Sequence, residues 1–133
     1  MDTRQYSRSD SWPRVLIVEE DPVLALDTAK ECLALGLEPK LCLGPERSTN
    51  CPGLKGEACP RSRGVEATFV SISSGRQRMA AHSCRGGRVV IAAERPLGGA
   101  ATVATICPDV QLGQPYDPRT AASALFSLVR DEP

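Results

Sequence analysis

Residues suited to chemistry stand directly after a short apolar segment near the start of the chain. Glu19, Glu20 and Asp21 follow Arg14–Val18 (RVLIV), a run that predicts a strand buried on both faces of a parallel sheet. Open α/β sheets bind ligands at the carboxyl ends of their strands, so these acids are a candidate divalent-metal site. Alternatively, the acids cap a following helix and compensate its dipole. We expect capping for Asp21 and keep both interpretations for Glu19 and Glu20, whose carboxylates repel each other without a cation or hydrogen bonds.

A second group of candidate ligands lies in the middle of the chain. Four soft donors, the number that a tetrahedral Zn²⁺ site uses, come from Cys51, Cys59, His82 and Cys84, although their spacing lacks a CxxC pair. The alternative is that Cys51 and Cys59 are free thiols, or form an occasional disulfide, in a loop ordered by prolines. Zinc or redox sensing is therefore a candidate function of this group.

Familiar nucleotide-binding and hydrolase motifs do not occur in the sequence. The glycine pairs at 86–87 and 98–99 do not form GxGxxG after the first strand, and GxxxxGK[ST] is missing, so NAD and ATP sites are not supported. His82 lacks a recognisable nucleophile and orienting acid, and Ser73 lacks the GxSxG elbow of hydrolases. We therefore predict that the protein is not an enzyme.

Composition and charge argue against several classes of protein. The 133 residues include 16 basic and 16 acidic side chains, so no overall field attracts the protein to nucleic acid or anionic membrane. The arginines between 61 and 88 have few aromatic neighbours, which favours a solvated face over a nucleic-acid patch. The apolar runs are too short for a membrane span, and the N-terminus lacks a signal-peptide core. We expect one cytoplasmic domain with mostly reduced thiols and no nucleic-acid or membrane partner.

Apolar periodicity predicts strands that alternate with helices. Strands are expected at 14–18, 39–43, 65–72, 88–93 and 109–113, and the clearest helices from Pro22 to Gly36 and from Pro118 to about Arg130. Weaker helices are expected at 76–81 and 98–106. Residues 1–13 are expected to form a flexible arm, and residues 44–64, rich in Cys, Pro and Gly, a long loop. The alternation predicts a doubly wound α/β fold with a five-stranded parallel sheet covered on both faces.

The two clear helices each have a predicted apolar stripe facing the sheet. In the first helix the stripe consists of Val23, Leu26, Ala29 or Lys30, and Leu33, joined by Ala25 and Cys32. In the last helix it consists of Ala121, Leu125 and Leu128, flanked by Ala122 and Val129. Cys32 and Cys42 are expected in the core.

Two segments resemble the first and last motifs of response-regulator receiver domains. VLIVEEDP has a hydrophobic strand and paired acids, and LGQPYDP has a polar residue, a proline and an aromatic after the last strand. The resemblance spans residues 14–130 and implies a receiver, or flavodoxin-like, fold in which the loop at 44–64 replaces the second helix. It also implies two-component signal transduction. In that family the paired acids hold Mg²⁺, an Asp ending the third strand accepts phosphate, a Thr or Ser follows the fourth strand, and a Lys precedes a cis-proline after the fifth.

This chain departs from that pattern at the positions that handle phosphate. Ser73, or Ser71 with a shifted alignment, stands in place of the acceptor Asp, and serine is not a charged nucleophile without a base. Ala92 or Ala93 stands in place of the hydroxyl residue. Gln114 replaces the lysine, which exchanges a cation for a neutral amide.

Other positions of the pattern are kept. Glu19 and Glu20 match the acidic pair, with longer side chains than the usual aspartates, so the resemblance still allows weak Mg²⁺ binding. Pro115 and Tyr116 preserve the turn after the last strand and its aromatic neighbour.

Together these matches and departures predict a degenerate receiver, or pseudo-receiver. We expect a signalling or scaffold module outside phosphorelay chemistry, with no required cofactor, that binds a protein partner or itself through the final strand, Gln114-Pro115-Tyr116 and the last helix. The alternative is a Zn²⁺ or redox sensor built on the same scaffold through the cysteine loop. A third candidate, Mg²⁺-dependent phosphoryl transfer at the acidic run 19–21, needs a nucleophilic carboxylate that we do not find in the sequence.

Overall fold

Five parallel strands form one sheet in the computed structural model, which describes residues 12–43, 64–72, 88–93 and 109–130. The strands are β1 Arg14–Val18, β2 Glu38–Cys42, β3 Ala67–Ser71, β4 Arg88–Ala92 and β5 Val110–Leu112. Their order across the sheet is β2-β1-β3-β4-β5, and every neighbouring pair is parallel. The predicted five-stranded parallel sheet is confirmed.

Two helices complete the described part of the fold, α1 Pro22–Ala34 and α2 Pro118–Arg130. Asp21 begins α1 as predicted, because its side chain accepts hydrogen bonds from two amides of the first turn, the nearer at 2.9 Å. After the helix, Gly36 adopts a φ of +83°, and the Leu37 amide donates to a carbonyl of the last turn at 3.0 Å. Glycine suits this left-handed position, so the local sequence fixes both ends of α1.

Both faces of the sheet are buried. On one face a cluster lies between the sheet and the two helices, and its largest members include Val15, Ile17, Phe69, Val90 and Leu125. On the other face a second cluster consists of Leu16, Val18, Val65, Val70, Ile72, Val89, Ile91 and Ala93. Burial on both faces explains why the strands read as continuous apolar runs. None of the helices in the described ranges is long and apolar enough to cross a membrane.

The predicted stripe is correct for α2 and partly wrong for α1. In α2, Ala121, Ala122, Leu125, Leu128 and Val129 are all buried. In α1 the buried residues are Ala25, Thr28, Ala29 and Cys32, whereas Val23, Leu26 and Leu33 are exposed. Helix α1 packs against α2 as well as against β1 and β2, and the small side chains on its inner face allow these close approaches. The larger residues therefore face outward.

Several predicted elements lie outside the described residues. They are residues 1–11 of the expected arm, residues 44–63 of the expected cysteine loop, and the two weaker helices at 76–81 and 98–106.

Candidate functional site

The carboxyl ends of β1 and β3 bring the first acid and a serine to one corner of the sheet. Val18 pairs with Val70, so Glu19 and Ser71 occupy the next position of the ladder. Strand residues of the same parity lie in the cluster under α1 and α2, which places both side chains on that face. Gln114, just after β5, reaches the same corner.

Gln114 joins the ends of β3 and β4 through its side-chain amide. Nε2 donates to Oγ of Ser71 at 2.9 Å and to the carbonyl of Ala92 at 3.2 Å. The following peptide bond, Gln114–Pro115, is cis, as the resemblance implies. Both donors of the amide are therefore used within the protein, and the bridge that they form carries no charge.

Glu19 is almost completely buried and accepts a hydrogen bond on each carboxylate oxygen. It is 4% exposed. The hydroxyl of Tyr116 donates to Oε1 at 2.7 Å, and the backbone amide of Asp21 donates to Oε2 at 2.9 Å. Hydrogen bonds to a carboxylate are short and strong, so they compensate its burial. Glu19 thus ties the end of β1 to the turn that precedes α2.

The Tyr116 side chain is fixed by its surroundings. Its ring lies edge-on to Phe69, with 4.8 Å between ring centroids and an interplanar angle of 60°. Burial raises the pKa of the Tyr116 phenol, and the hydrogen bond to Glu19 raises it further. The phenol therefore keeps its proton and remains a donor to Glu19 at physiological pH. The sequence analysis kept Tyr116 only as an aromatic neighbour and missed this contact.

Two of the three acids in the run 19–21, Glu19 and Asp21, are engaged by protein donors in this arrangement. Mg²⁺ needs near-octahedral oxygen ligands at about 2.0–2.1 Å. Both oxygens of Glu19 accept bonds from protein groups, and the Asp21 carboxylate accepts from amides of α1. Within the described ranges there is no group of three or more His, Cys, Asp or Glu side chains that could hold a metal ion.

The two alanines considered for the missing hydroxyl position lie on opposite faces of the sheet. Ala92 belongs to the cluster under the helices and Ala93 to the cluster on the other face. Ser73 lies outside the described residues, whereas Ser71, the alternative acceptor position, contacts Gln114. The geometry of the corner therefore supports the alignment that places Ser71 there.

The cysteines divide between the core and the part of the chain outside the described ranges. The four candidate zinc ligands all lie outside the described ranges; they are Cys51, Cys59, His82 and Cys84. Cys32 is fully buried, as expected, and burial together with the nearby Glu31 charge raises its pKa to about 12. Cys42 is half-buried and packs against the second cluster. Cys32 is therefore suited to packing and not to redox chemistry.

Comparisons with known proteins support the fold but do not assign a family. No protein-family model matches the sequence. No curated protein matches it either. Among solved structures, a CheY-like response regulator receiver domain protein from Methanospirillum hungatei JF-1 is similar, with a TM-score of 0.63 and 16% identity over 91% of this chain and 96% of that chain.

Two further solved structures are similar to this chain. An orphan response regulator of H. pylori has a TM-score of 0.57 and 17% identity over 89% of this chain and 97% of that chain. The receiver domain of a sensor histidine kinase from Pseudomonas aeruginosa PAO1, described with a magnesium ion coordinated in its active-site cleft, has a TM-score of 0.59 and 13% identity over 91% of this chain and 100% of that chain. With the parallel strand order above, these similarities show that the chain has the CheY-like receiver fold.

Proposed function

We propose that the chain is a receiver-like signalling or scaffold module that is not phosphorylated, catalyses no reaction and acts through protein contacts. The observation that carries this proposal is the 2.9 Å hydrogen bond between Gln114 and Ser71. It lies at the corner where the receiver resemblance places a lysine and an acceptor aspartate. Two neutral groups have taken the place of an ion pair, which supports a structural role for this corner.

The chemistry of phosphoryl transfer argues in the same direction. An acyl phosphate forms on a carboxylate, whereas Ser71, a residue that is 3% exposed, has a neutral hydroxyl already bonded to Gln114. The Gln114 amide is neutral and cannot compensate phosphate charge as a lysine does. Positions 92 and 93 are alanines, so neither supplies a hydroxyl to a bound phosphoryl group. The switch of the receiver family would lack its acceptor, its cation and its hydroxyl.

The proposed partner surface includes α1 as well as the final strand and last helix expected from the sequence. Among the described residues, Val23, Leu26, Leu33 and Leu35 are the exposed large apolar side chains, and Val23 is 67% exposed. They lie on α1 or just after it, and α1 packs beside α2. Exposed apolar groups of this kind are typical of protein-binding surfaces.

The first experiment tests phosphorylation directly. The protein is incubated with Mg²⁺ and a small-molecule phosphodonor and analysed by intact mass, beside a phosphorylatable receiver domain as positive control. We expect the control to gain a labile phosphoryl adduct and this chain to keep its mass. An adduct on this chain that Ser71→Ala removes would show that the serine is an acceptor. An adduct that Ser71→Ala leaves in place would show that the acceptor lies elsewhere, and both results contradict the proposal.

A second experiment tests the partner surface. Leu26→Glu places a charge in the apolar group of α1, and Ser127→Glu places the same charge on the exposed side of α2, so the two variants compare the two helices. Sedimentation equilibrium measures self-association, and titration with isolated histidine-kinase domains measures binding to a partner. If α1 takes part, Leu26→Glu weakens the association and Ser127→Glu does not. The reverse result would favour the last helix, as the sequence analysis expected.

One feature of the fold favours a second candidate function, a Zn²⁺ or redox sensor. Cys59 and Cys84 precede β3 and β4 in the chain, and these two strands are parallel neighbours, so their amino ends lie side by side. Elemental analysis of protein purified under reducing conditions tests the candidate. Stoichiometric zinc that is lost in Cys59→Ser or Cys84→Ser would support it. A zinc-free protein with unchanged properties after oxidation would contradict it.

A further inference from the structure

We infer that the Tyr116 hydroxyl occupies the position beside Glu19 where a divalent cation would bind. Glu19 is then a structural hydrogen-bond acceptor and not a metal ligand. This inference goes beyond the proposed function. It rests on the contacts of Glu19 and not on the fate of the phosphoryl acceptor. Tyr116 is accordingly a positioning residue for the turn after β1.

The first support is that each oxygen of the Glu19 carboxylate already accepts a hydrogen bond from the protein. One oxygen accepts from the phenol at 2.7 Å and the other from the Asp21 amide at 2.9 Å. With Glu19 4% exposed and Tyr116 8% exposed, little solvent reaches the pair. Mg²⁺ dehydrates reluctantly and usually keeps several waters, and few waters could accompany an ion to a pair buried this deeply.

The second support is that the phenol is held in place independently of Glu19. Phe69 packs edge-on against the ring, and the Tyr116 side chain lies in the buried cluster under α1 and α2. A donor that is fixed before it meets its acceptor loses little side-chain entropy when the bond forms. The hydroxyl is therefore a preorganised neutral substitute for a cation at Glu19.

The third support is the position of the bond in the chain. Glu19 and Tyr116 are 97 residues apart in sequence, and their bond connects the end of β1 with the turn before α2. The Asp21 amide on the other carboxylate oxygen precedes the first turn of α1. One buried carboxylate thus joins the start of both helices, a link that a metal ligand open to solvent would not need.

A spectroscopic titration tests the hydrogen bond. The chain has only two tyrosines, so Tyr6→Phe leaves Tyr116 as the only phenol in the ultraviolet difference spectrum. We expect this phenol to titrate above the ordinary pKa of about 10, and Glu19→Gln in the same background to bring the pKa back toward that value. If Tyr116 titrates at the ordinary value in the folded Tyr6→Phe protein, the inference is overturned, and this result does not depend on whether Glu19→Gln folds.

A metal titration tests the other half of the inference. Thermal unfolding of the wild-type protein is followed without Mg²⁺ and with millimolar Mg²⁺, and Glu19→Gln is treated in the same way. We expect no Mg²⁺-dependent rise of the wild-type midpoint. A rise that Glu19→Gln abolishes would show that Glu19 binds the cation and would overturn the inference. Because the phosphodonor experiment has a different readout, this failure would leave the proposed function standing.

Discussion

Replacement of Gln114 by alanine tests the neutral bridge most directly. The change removes the bonds to Ser71 and to the Ala92 carbonyl, of 2.9 and 3.2 Å. The carbonyl keeps a second bond, from the Ile72 amide at 2.9 Å, whereas the buried Ser71 hydroxyl loses this partner. A net hydrogen bond contributes about 1 kcal/mol, and an unsatisfied buried polar group costs about 1–3 kcal/mol. We therefore expect Gln114→Ala to lower the free energy of unfolding by about 1–3 kcal/mol.

A double-mutant cycle isolates the contact between the two side chains. Urea denaturation followed by far-ultraviolet circular dichroism gives the free energy of unfolding of the wild type, Gln114→Ala, Ser71→Ala and the double variant. We expect a coupling energy of about 0.5–1.5 kcal/mol, since either single change breaks the same bond. Ser127→Ala, on an exposed position of α2, is the control and should change stability by less than about 0.5 kcal/mol. Additive effects of the two substitutions would refute the bridge.

Three further predictions concern α1. Ala25→Leu, at a fully buried position, should lower the free energy of unfolding by about 1–3 kcal/mol, whereas Leu26→Ala, at an exposed position, should change it by less than about 0.5 kcal/mol. If thermal melts show Leu26→Ala to be the more destabilising change, the observed inner face of α1 is contradicted. Asp21→Ala should cost about 1 kcal/mol in urea denaturation, because α1 loses its cap, and Asp21→Asn should retain most of the stability. Burial raises the pKa of Cys32 to about 12, so its contribution to stability is complete below the ordinary thiol value of 9.0 and falls as the pH rises toward 12. Iodoacetamide at neutral pH should modify Cys32 only in unfolded protein, as read by peptide mass spectrometry.

The elements of this fold that could be predicted are those with purely local signals. Strands β1, β3 and β4 are short, contain β-branched residues and are buried on both faces, and the observed bounds of β1 are the predicted ones. Asp21 and Gly36 marked the ends of α1 because a cap and a left-handed glycine act on neighbouring backbone groups. The apolar stripe of α2 was also correct, since its apolar residues lie on one side only.

The inner face of α1 could not be read from periodicity in the same way. This helix has apolar residues on more than one side, and the prediction gave weight to the large ones, such as Leu26 and Leu33. In the structure the small residues Ala25 and Cys32 are buried instead, because α1 packs against both the sheet and α2 and small side chains allow this close approach. The large apolar side chains that remain exposed on α1 support the binding surface proposed there.

The candidate site was predictable in its residues but not in its contacts. The resemblance pointed to Glu19, Gln114 and Tyr116. Only the register of β1 with β3, in which Val18 pairs with Val70, shows that Ser71 lies beside Glu19. The bond from Tyr116 to Glu19 spans 97 residues, and no spacing in the sequence encodes it. A tyrosine after the proline was the one available signal, because a buried phenol hydroxyl needs a hydrogen-bond partner.

The two bonds at the corner support the same conclusion about how it works. Tyr116 donates to Glu19, and Gln114 donates to Ser71, so both of these buried acceptors have a partner within the protein. A phosphate switch needs the opposite arrangement, with an open carboxylate, a cation and a movable hydroxyl whose contacts change when charge arrives. Here an incoming phosphoryl group would have to break satisfied bonds without a lysine or a metal ion to compensate its charge. Under the proposed function, these bonds hold the corner in one conformation, and the domain passes on a signal through a partner that binds its surface.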